Sequence, residues 1–241
     1  MPNHFFQFKQ FTIYQDKCAM KVCTDACLFG AFVANYIEQK KSSPKNILDI
    51  GTGTGLLALM LAQKTIADID AVEIDQAASM QANNNFVASP WNNRLNIYNT
   101  PIQLYKKING SGYDFIISNP PFFEKSLKSD SQSKNLALHS EALTLSDLID
   151  QIQLHLNPNG QFAILLPYNR RAYFIAKAQK LGFDIHALIN VKQTQQHPFF
   201  RSMMIFGNSS FSTFSKELII KENNEYTADF RALLYHYYLP F

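Results

Sequence analysis

The stretch Ser118-Asn119-Pro120-Pro121-Phe122 ends a run from Tyr113 to Ile117, apolar but for Asp114, in a rigid, polar-tipped corner. Consecutive prolines cannot donate to a sheet ladder, so a strand over YDFIIS stops there. One proline is enough to stop it; the second stiffens the corner. An exocyclic amine on a nucleobase is a poor nucleophile, because its lone pair is delocalised into the ring. Two acceptors that pull its N–H groups out of plane restore that lone pair. The Asn119 side-chain oxygen and the Pro120 carbonyl can supply them side by side, with Pro121 fixing the backbone so that they converge. Phe122, or Phe123 next to it, offers a flat face for the base, worth roughly 1–3 kcal/mol by stacking. The plainer alternative is a proline-stopped strand with a core phenylalanine.

A second stretch, LDIGTGTGLLAL (residues 48–59), places Gly51, Thr52, Gly53 and Gly55 between an apolar strand and a helical run. Glycines there let the backbone turn tightly and approach a ligand, with the free N–H groups of the helix start facing it. The spacing is not the G-x-G-x-x-G of dinucleotide folds, and no Gly-Lys-Ser/Thr follows, which excludes a Walker phosphate loop. Asp49 adds a carboxylate that suits an ammonium group better than a pyrophosphate. The third stretch, AVEID, puts Glu73 at the end of a second strand, followed by Ile74. A carboxylate there can accept both hydroxyls of a ribose. Enzymes using NAD and enzymes using S-adenosylmethionine share that device, so Glu73 argues for a nucleoside-bearing cofactor without choosing one.

The elements that must position these groups alternate. Strands are predicted over KNILDI, DIDAVEID, RLNIY, YDFIIS, QFAILLP, DIHALINVKQ and FFRSMMIFG. Between them, GLLALMLAQK, QAASMQANNNFVAS, LSDLIDQIQLHL and NRRAYFIAKAQKLG have helical spacing, with Ser146 as an N-cap and Gly182 closing the last. This pattern predicts an α/β, Rossmann-like, seven-stranded and mostly parallel sheet with helices on both faces. The last two strands lack a helix between them, which predicts an antiparallel strand at one edge. The chain reads as a single domain over 1–241, with an N-terminal extension (1–40), a core (45–207) and a C-terminal extension (215–241).

Composition narrows the class. Hydrophobic residues make up 46% and charged residues 17%, ordinary for a chain with a full core. No apolar run approaches the ~20 residues that cross a bilayer, and the first residues lack a signal-peptide pattern, so no membrane is expected and the address is cytoplasmic. Cys18, Cys23 and Cys27 match no common zinc or iron–sulfur spacing; buried reduced thiols and no metal are expected. The net charge of +3 permits a nucleic-acid partner without arguing for one.

Taken together, DIGTGTG, VEID and NPPF resemble the cofactor loop, ribose-binding acid and catalytic motif of class I S-adenosylmethionine-dependent methyltransferases that modify amino groups. Over nearly the whole chain, the resemblance is to the tRNA1(Val) (adenine-37) N6-methyltransferase family. FKQFTIYQDKCAMKVCTDACLFGAFV is similar to its N-terminal signature, in which Lys21, Thr24 and Asp25 precede the first helix; DFRALLYHYYLPF is similar to its aromatic C-terminus. The resemblance implies S-adenosylmethionine as cofactor, contacted by Asp49, Gly51, Thr52, Gly53, Gly55, Glu73 and Ile74. It implies that the segment carrying Lys21, Thr24 and Asp25 closes over the methionine end. Pro101 stands where many relatives have an acid for the cofactor adenine, leaving that contact to Asn99, Thr100 or backbone groups. LALHS lacks the arginine of a related motif, which makes His139 an ordinary loop histidine.

The implied partner is tRNA, entered at its anticodon loop. Lys125, Lys128 and Lys134, together with Arg170, Arg171, His197 and Arg201, are the candidate phosphate contacts. Two other amino-group substrates share the motif: the guanine amine of ribosomal RNA, and a release-factor glutamine. An NAD-dependent oxidoreductase is the reading from a different class, opposed by the glycine spacing and the proline corner.

Overall fold

Strands covered on both faces read as near-continuous apolar runs, and the runs of this chain form such strands. A computed structural model describes residues 3–18, 20–40, 43–107, 112–121, 143–208 and 213–241. The chain enters as a hairpin, β1 (Phe5–Gln7) against β2 (Thr12–Tyr14), followed by α1 (Thr24–Glu38). Alternation follows through β3 (Asn46–Ile50), α2 (Leu56–Ala62), β4 (Asp68–Glu73), α3 (Gln76–Val87), β5 (Leu95–Asn99) and β6 (Tyr113–Ser118). Next come α4 (Leu145–His155), β7 (Leu156–Pro167), α5 (Arg171–Lys180), β8 (Asp184–Lys192) and β9 (Phe199–Gly207). The chain closes with β10 (Phe214–Ile219), a ribbon of β11 (Lys221–Glu222) and β12 (Glu225–Tyr226), and α6 (Ala228–Leu234).

The main sheet has eight strands rather than the seven expected, in the order β10-β8-β9-β7-β6-β3-β4-β5. The eighth, β10, escapes a pattern reading because only Leu218 of its six residues is buried. It is a charged edge, and charges such as Lys216 and Glu217 keep such edges from pairing further. The predicted antiparallel edge strand is also corrected. β9 does run antiparallel to β8, but it lies inside the sheet between β7 and β8, and β10 takes the edge in parallel with β8. Ser202 to Gly207 are all buried, the double-sided burial of a central strand.

Side chains alternate between two cores. One face packs α1, α2, α3 and α6 with the terminal aromatics; the other packs α4 and α5 around Phe162, Phe174 and Phe206. All seven residues of α2 are buried, as expected of a helix that is apolar all round. The two chain ends meet on this first face: Lys9 N–H donates to the Tyr237 carbonyl at 2.8 Å, and Tyr237 Oη donates to the Met60 carbonyl of α2 at 3.0 Å.

Three local expectations change. The N-cap of α4 is Thr144 rather than Ser146: Thr144 and Asp147 form a reciprocal capping box, while Ser146 Oγ accepts from Lys177 Nζ. Thr24 and Asp25 do not precede α1 but form its first turn, after Cys23 as N-cap. Cys18 and Cys27 are buried, whereas Cys23 is exposed. Gly182 closes α5 as expected, with φ of +84°.

Candidate active site at the carboxyl rim

The strand registers decide which residues meet at the carboxyl ends. Asn99 pairs with Glu73, Val72 with Ile50, and Ile50 with Ser118. Asn99, Glu73, Gly51 and Asn119 therefore stand level on four adjacent strands. At about 4.8 Å per strand, Glu73 and Asn119 leave strands roughly 10 Å apart, with the glycine loop between them.

The loop is shaped by its glycines. Gly51, Gly53 and Gly55 have φ of +72°, +57° and +84°, a region costly for residues that carry a Cβ. A Cβ at Gly51 or Gly53 would meet nothing within 4 Å, whereas one at Gly55 would fall 2.5 Å from the Phe86 ring. The first two thus border open space, and the third is a packing glycine. Gly51 and Thr52 N–H both donate to the Val72 carbonyl, at 2.9 and 3.2 Å.

Glu73 is buried at the end of β4, and both its oxygens accept backbone N–H groups: Oε2 from Gly53 at 2.8 Å and Oε1 from Asp75 at 2.9 Å. Each oxygen keeps a second lone pair, so the carboxylate is held in place with acceptor capacity left over. Asn99 Nδ2 donates to the carbonyls of Glu73 and Ile74 at 2.9 and 3.1 Å, and Thr100 N–H to that of Glu73 at 3.1 Å. Both residues brace the exit of β4. Ile74 is 53% exposed beside them.

Asp49 is fully buried. Thr52 Oγ1 donates to its Oδ2 at 2.6 Å, and its Oδ1 has no hydrogen-bond partner. Burial pushes the Asp49 carboxyl up to about 7, against the lowering by Thr52 and by the Ala58 N–H. A buried oxygen left unpaired under the glycine loop is an acceptor in want of a donor.

Ser118 Oγ donates to the Ile50 carbonyl at 2.8 Å, tying the end of β6 to the strand that leads into the glycines. Asn119 is half-buried and Pro120 buried. Asn119 Oδ1 is closed off from solvent and accepts no hydrogen bond. An incoming amine reaches that oxygen only after the side chain rotates or its surroundings rearrange. Phe122, Phe123, Lys125, Lys128, Lys134 and His139 lie outside the described residues.

The N-terminal candidates sit elsewhere on the rim. Lys21 and Thr24 are exposed, and Asp25 Oδ2 forms an ion pair with Arg201 Nε at 2.7 Å. Arg201, expected on phosphates, therefore fastens α1 to β9. Arg171 lies over the Tyr168 ring at 3.6 Å, Tyr168 stacks on Phe199 at 5.0 Å, and Arg170 and His197 are exposed. Among the described residues, no group of three His, Cys, Asp or Glu could hold a metal ion.

Ser118, Gln81 and Asn85 are the contributors that motif reading misses. Ser118 is the polar end of an apolar run. Gln81 and Asn85 are amides four residues apart on the α3 face that also buries Ala78, Ala82 and Phe86. A polar pair on an apolar stripe was the available signal.

Known proteins match most of this chain. Residues 30–173 match the methyltransferase small domain family. A tRNA1(Val) (adenine(37)-N6)-methyltransferase of Cytophaga hutchinsonii is 47% identical over 196 residues, 81% of this chain and 78% of that one. One from Dyadobacter fermentans is 40% identical over 245 residues, covering 99% of both chains. The crystal structure of a predicted O-methyltransferase from Agrobacterium tumefaciens has a TM-score of 0.66, covering 88% of this chain and 96% of its own at 16% identity. That last likeness concerns the fold alone.

Proposed function

The chain belongs to the tRNA1(Val) (adenine(37)-N6)-methyltransferase family, and from that premise we propose that the carboxyl rim is where the family's reaction runs. The enzyme methylates the exocyclic N6 amine of an adenine in tRNA, with S-adenosylmethionine as cofactor. Its target is adenine 37, beside the anticodon. The observation that carries this site is the level placement of an unpaired Asn119 oxygen next to an open glycine loop and a braced Glu73.

The residues fit the cofactor. The space at Gly51 and Gly53 admits a ligand against bare backbone, and the orphaned Asp49 oxygen suits an ammonium donor. Gly51, Thr52, Gly53 and Gly55 would line the cofactor's middle, and Glu73 its ribose hydroxyls. Ile74 would face the adenine, with Asn99 and Thr100 at its edge. Lys21, Thr24 and Asp25, in the segment 1–40, would close over the methionine end. When bound, S-adenosylmethionine supplies a methyl group already activated by its sulfonium charge.

What the chain itself does is bind and orient. Once the Asn119 corner has rearranged to expose its oxygen, Asn119 Oδ1 and the Pro120 carbonyl accept the two N–H groups of the adenine amine and turn its lone pair out of the ring plane. Holding reacting groups in line contributes on the order of 7–11 kcal/mol, and acceptors facing the developing positive charge on nitrogen add to it. Phe122 stacks on the base. An anticodon-loop base is already unpaired, which lowers the cost of extruding it. Arg170, Arg171 and His197 with the lysines of 125–134 meet the phosphates, an affinity that weakens with salt. No helix among the described residues is long and apolar enough to cross a membrane; a tRNA substrate puts the enzyme in the cytoplasm.

Incubation with methyl-labelled cofactor and, separately, tRNA, ribosomal subunits and release factor tests the reading. Label should appear in N6-methyladenosine from tRNA digests. Label in ribosomal guanine or in protein overturns it.

Asp49 gives the site a pH dependence. Its carboxyl is raised to about 7 from about 3.9 in an unfolded chain. Without cofactor, its contribution to stability therefore falls as pH climbs from 4 to 7, opposite to a salt-bridged acid. Its charge, once present, serves the ammonium. Affinity for S-adenosylmethionine should rise between pH 6 and pH 8 in calorimetry. Asp49→Asn should bind weakly with a flat profile, while gaining thermal stability at pH 8.

A further inference from the structure

The path of the N-terminal segment is set by two side-chain amides of α3. Asn85, 1% exposed, uses its whole amide. Its Nδ2 donates to the Tyr14 carbonyl and to the Thr54 carbonyl, each at 2.9 Å, and its Oδ1 accepts from Tyr14 N–H at 3.0 Å. Toward Tyr14 the amide acts as a peptide unit in a strand ladder. Toward Thr54 it holds the glycine loop two residues past the motif's first turn. One helical turn earlier, Gln81, 3% exposed, accepts from Lys17 N–H at 3.3 Å. The i, i+4 spacing puts both amides on one helix face, under the segment that leads to Lys21 and Asp25. Gln15 continues the docking by accepting from Val22 N–H at 2.7 Å.

The same segment runs beside the ribose end of the site. Cys18 is buried, and burial, then the neighbouring Glu73 and Asp75 carboxylates, push its thiol up to about 11. Phe86, next to Asn85, seals the back of the loop against Gly55. Thus a single helix turn grips the loop from behind and the N-terminal strand from the side.

We infer that Asn85 is a positioning residue that makes the docking of residues 14–18 and the cofactor-ready shape of residues 51–55 one cooperative event. Ordering the loop orders the segment, and the reverse holds with the same coupling. The inference rests on the cofactor reading of the loop given above. Asn85 reaches neither substrate nor cofactor; it acts through Thr54 and Tyr14.

Asn85→Asp keeps the shape and the acceptor to Tyr14 N–H but loses both donors. KM for S-adenosylmethionine should rise about tenfold, near the upper worth of one net hydrogen bond, with kcat at saturating cofactor preserved. Hydrogen exchange at residues 12–18 and 51–55 should speed up together in the variant without cofactor, and in the parent protein both stretches should slow together when cofactor is added. Gln81→Ala, which removes the acceptor of Lys17 N–H, should loosen residues 15–18 and raise KM less; it also serves if the Asn85 variant does not fold. Unchanged KM in a folded Asn85→Asp, or exchange that changes in one stretch without the other, overturns the coupling. Failure of the parent protein to bind S-adenosylmethionine would instead sink the cofactor reading itself.

Discussion

Asn119→Ala should lower kcat for tRNA methylation by about 10²–10³-fold, the range for removing one electrostatic partner of a transition state. Cofactor affinity should hold, because the hydrogen bonds that fix the glycine loop and Glu73 come from β4, Asp75, Asn85 and each other and not from the Asn119 side chain. The melting temperature should not fall. Asn119 Oδ1 is buried with no hydrogen bond, and a buried acceptor left unsatisfied costs about 1–3 kcal/mol. Removing it relieves the folded chain of that cost, so activity and stability move in opposite directions. A merely structural asparagine would behave otherwise, losing stability and activity together. Asn119→Asp separates charge from shape: it keeps the acceptor oxygen but exchanges the amide donor for a second oxygen and places an anion in the corner. Single-turnover kinetics with saturating cofactor and tRNA, beside a thermal scan, reads both quantities. Full turnover by the alanine variant removes Asn119 from the chemistry.

Much of the rim was legible because its parts are short and chemically marked. NPP cannot continue a strand, G-x-G-x-G must turn, and Glu73 closes an apolar run; each follows from local sterics or polarity. The helix-closing Gly182 is of the same kind. What local patterns do not carry is order across the sheet. β8 and β9 announce a hairpin, but only the burial of Ser202 to Gly207 on both faces says that β9 is interior. β10 was hidden because an edge strand with one buried residue has no apolar period to detect. The cap of α4 was missed in favour of Ser146 because Thr144 and Ser146 are equally plausible caps in isolation. The reciprocal bond from Asp147 three residues on distinguishes them. Asn85 was legible as a polar residue on an apolar stripe, but its role was not. Its partners, Tyr14 and Thr54, lie 71 and 31 residues away, and no pattern in its own helix names them. Arg201 likewise looked like a phosphate contact until Asp25, 176 residues distant, took its guanidinium.

Gly53→Val should abolish measurable cofactor binding, a loss of at least about a hundredfold, or roughly 2.7 kcal/mol, while leaving the fold largely intact. Two effects act at one position. φ of +57° suits glycine and costs an L-residue roughly 1–2 kcal/mol, more for a β-branched one. The added side chain would also point into space empty within 4 Å of its Cβ, so it displaces ligand and not protein. Shifting Gly53 would further pull its N–H from Glu73 Oε2, loosening the acid assigned to the ribose. Gly55→Ala is the contrasting case two residues on. There the new Cβ meets the buried Phe86 ring at 2.5 Å, so the strain falls on the packing between α2 and α3. Its melting temperature should drop more than that of Gly53→Ala, with any loss of cofactor affinity following from the displaced loop. Calorimetric titration of both variants, read against thermal unfolding without cofactor, distinguishes a ligand-facing glycine from a packing glycine. Equal cofactor affinity in Gly53→Val and the parent protein would remove the loop from the binding site, whatever became of Gly55.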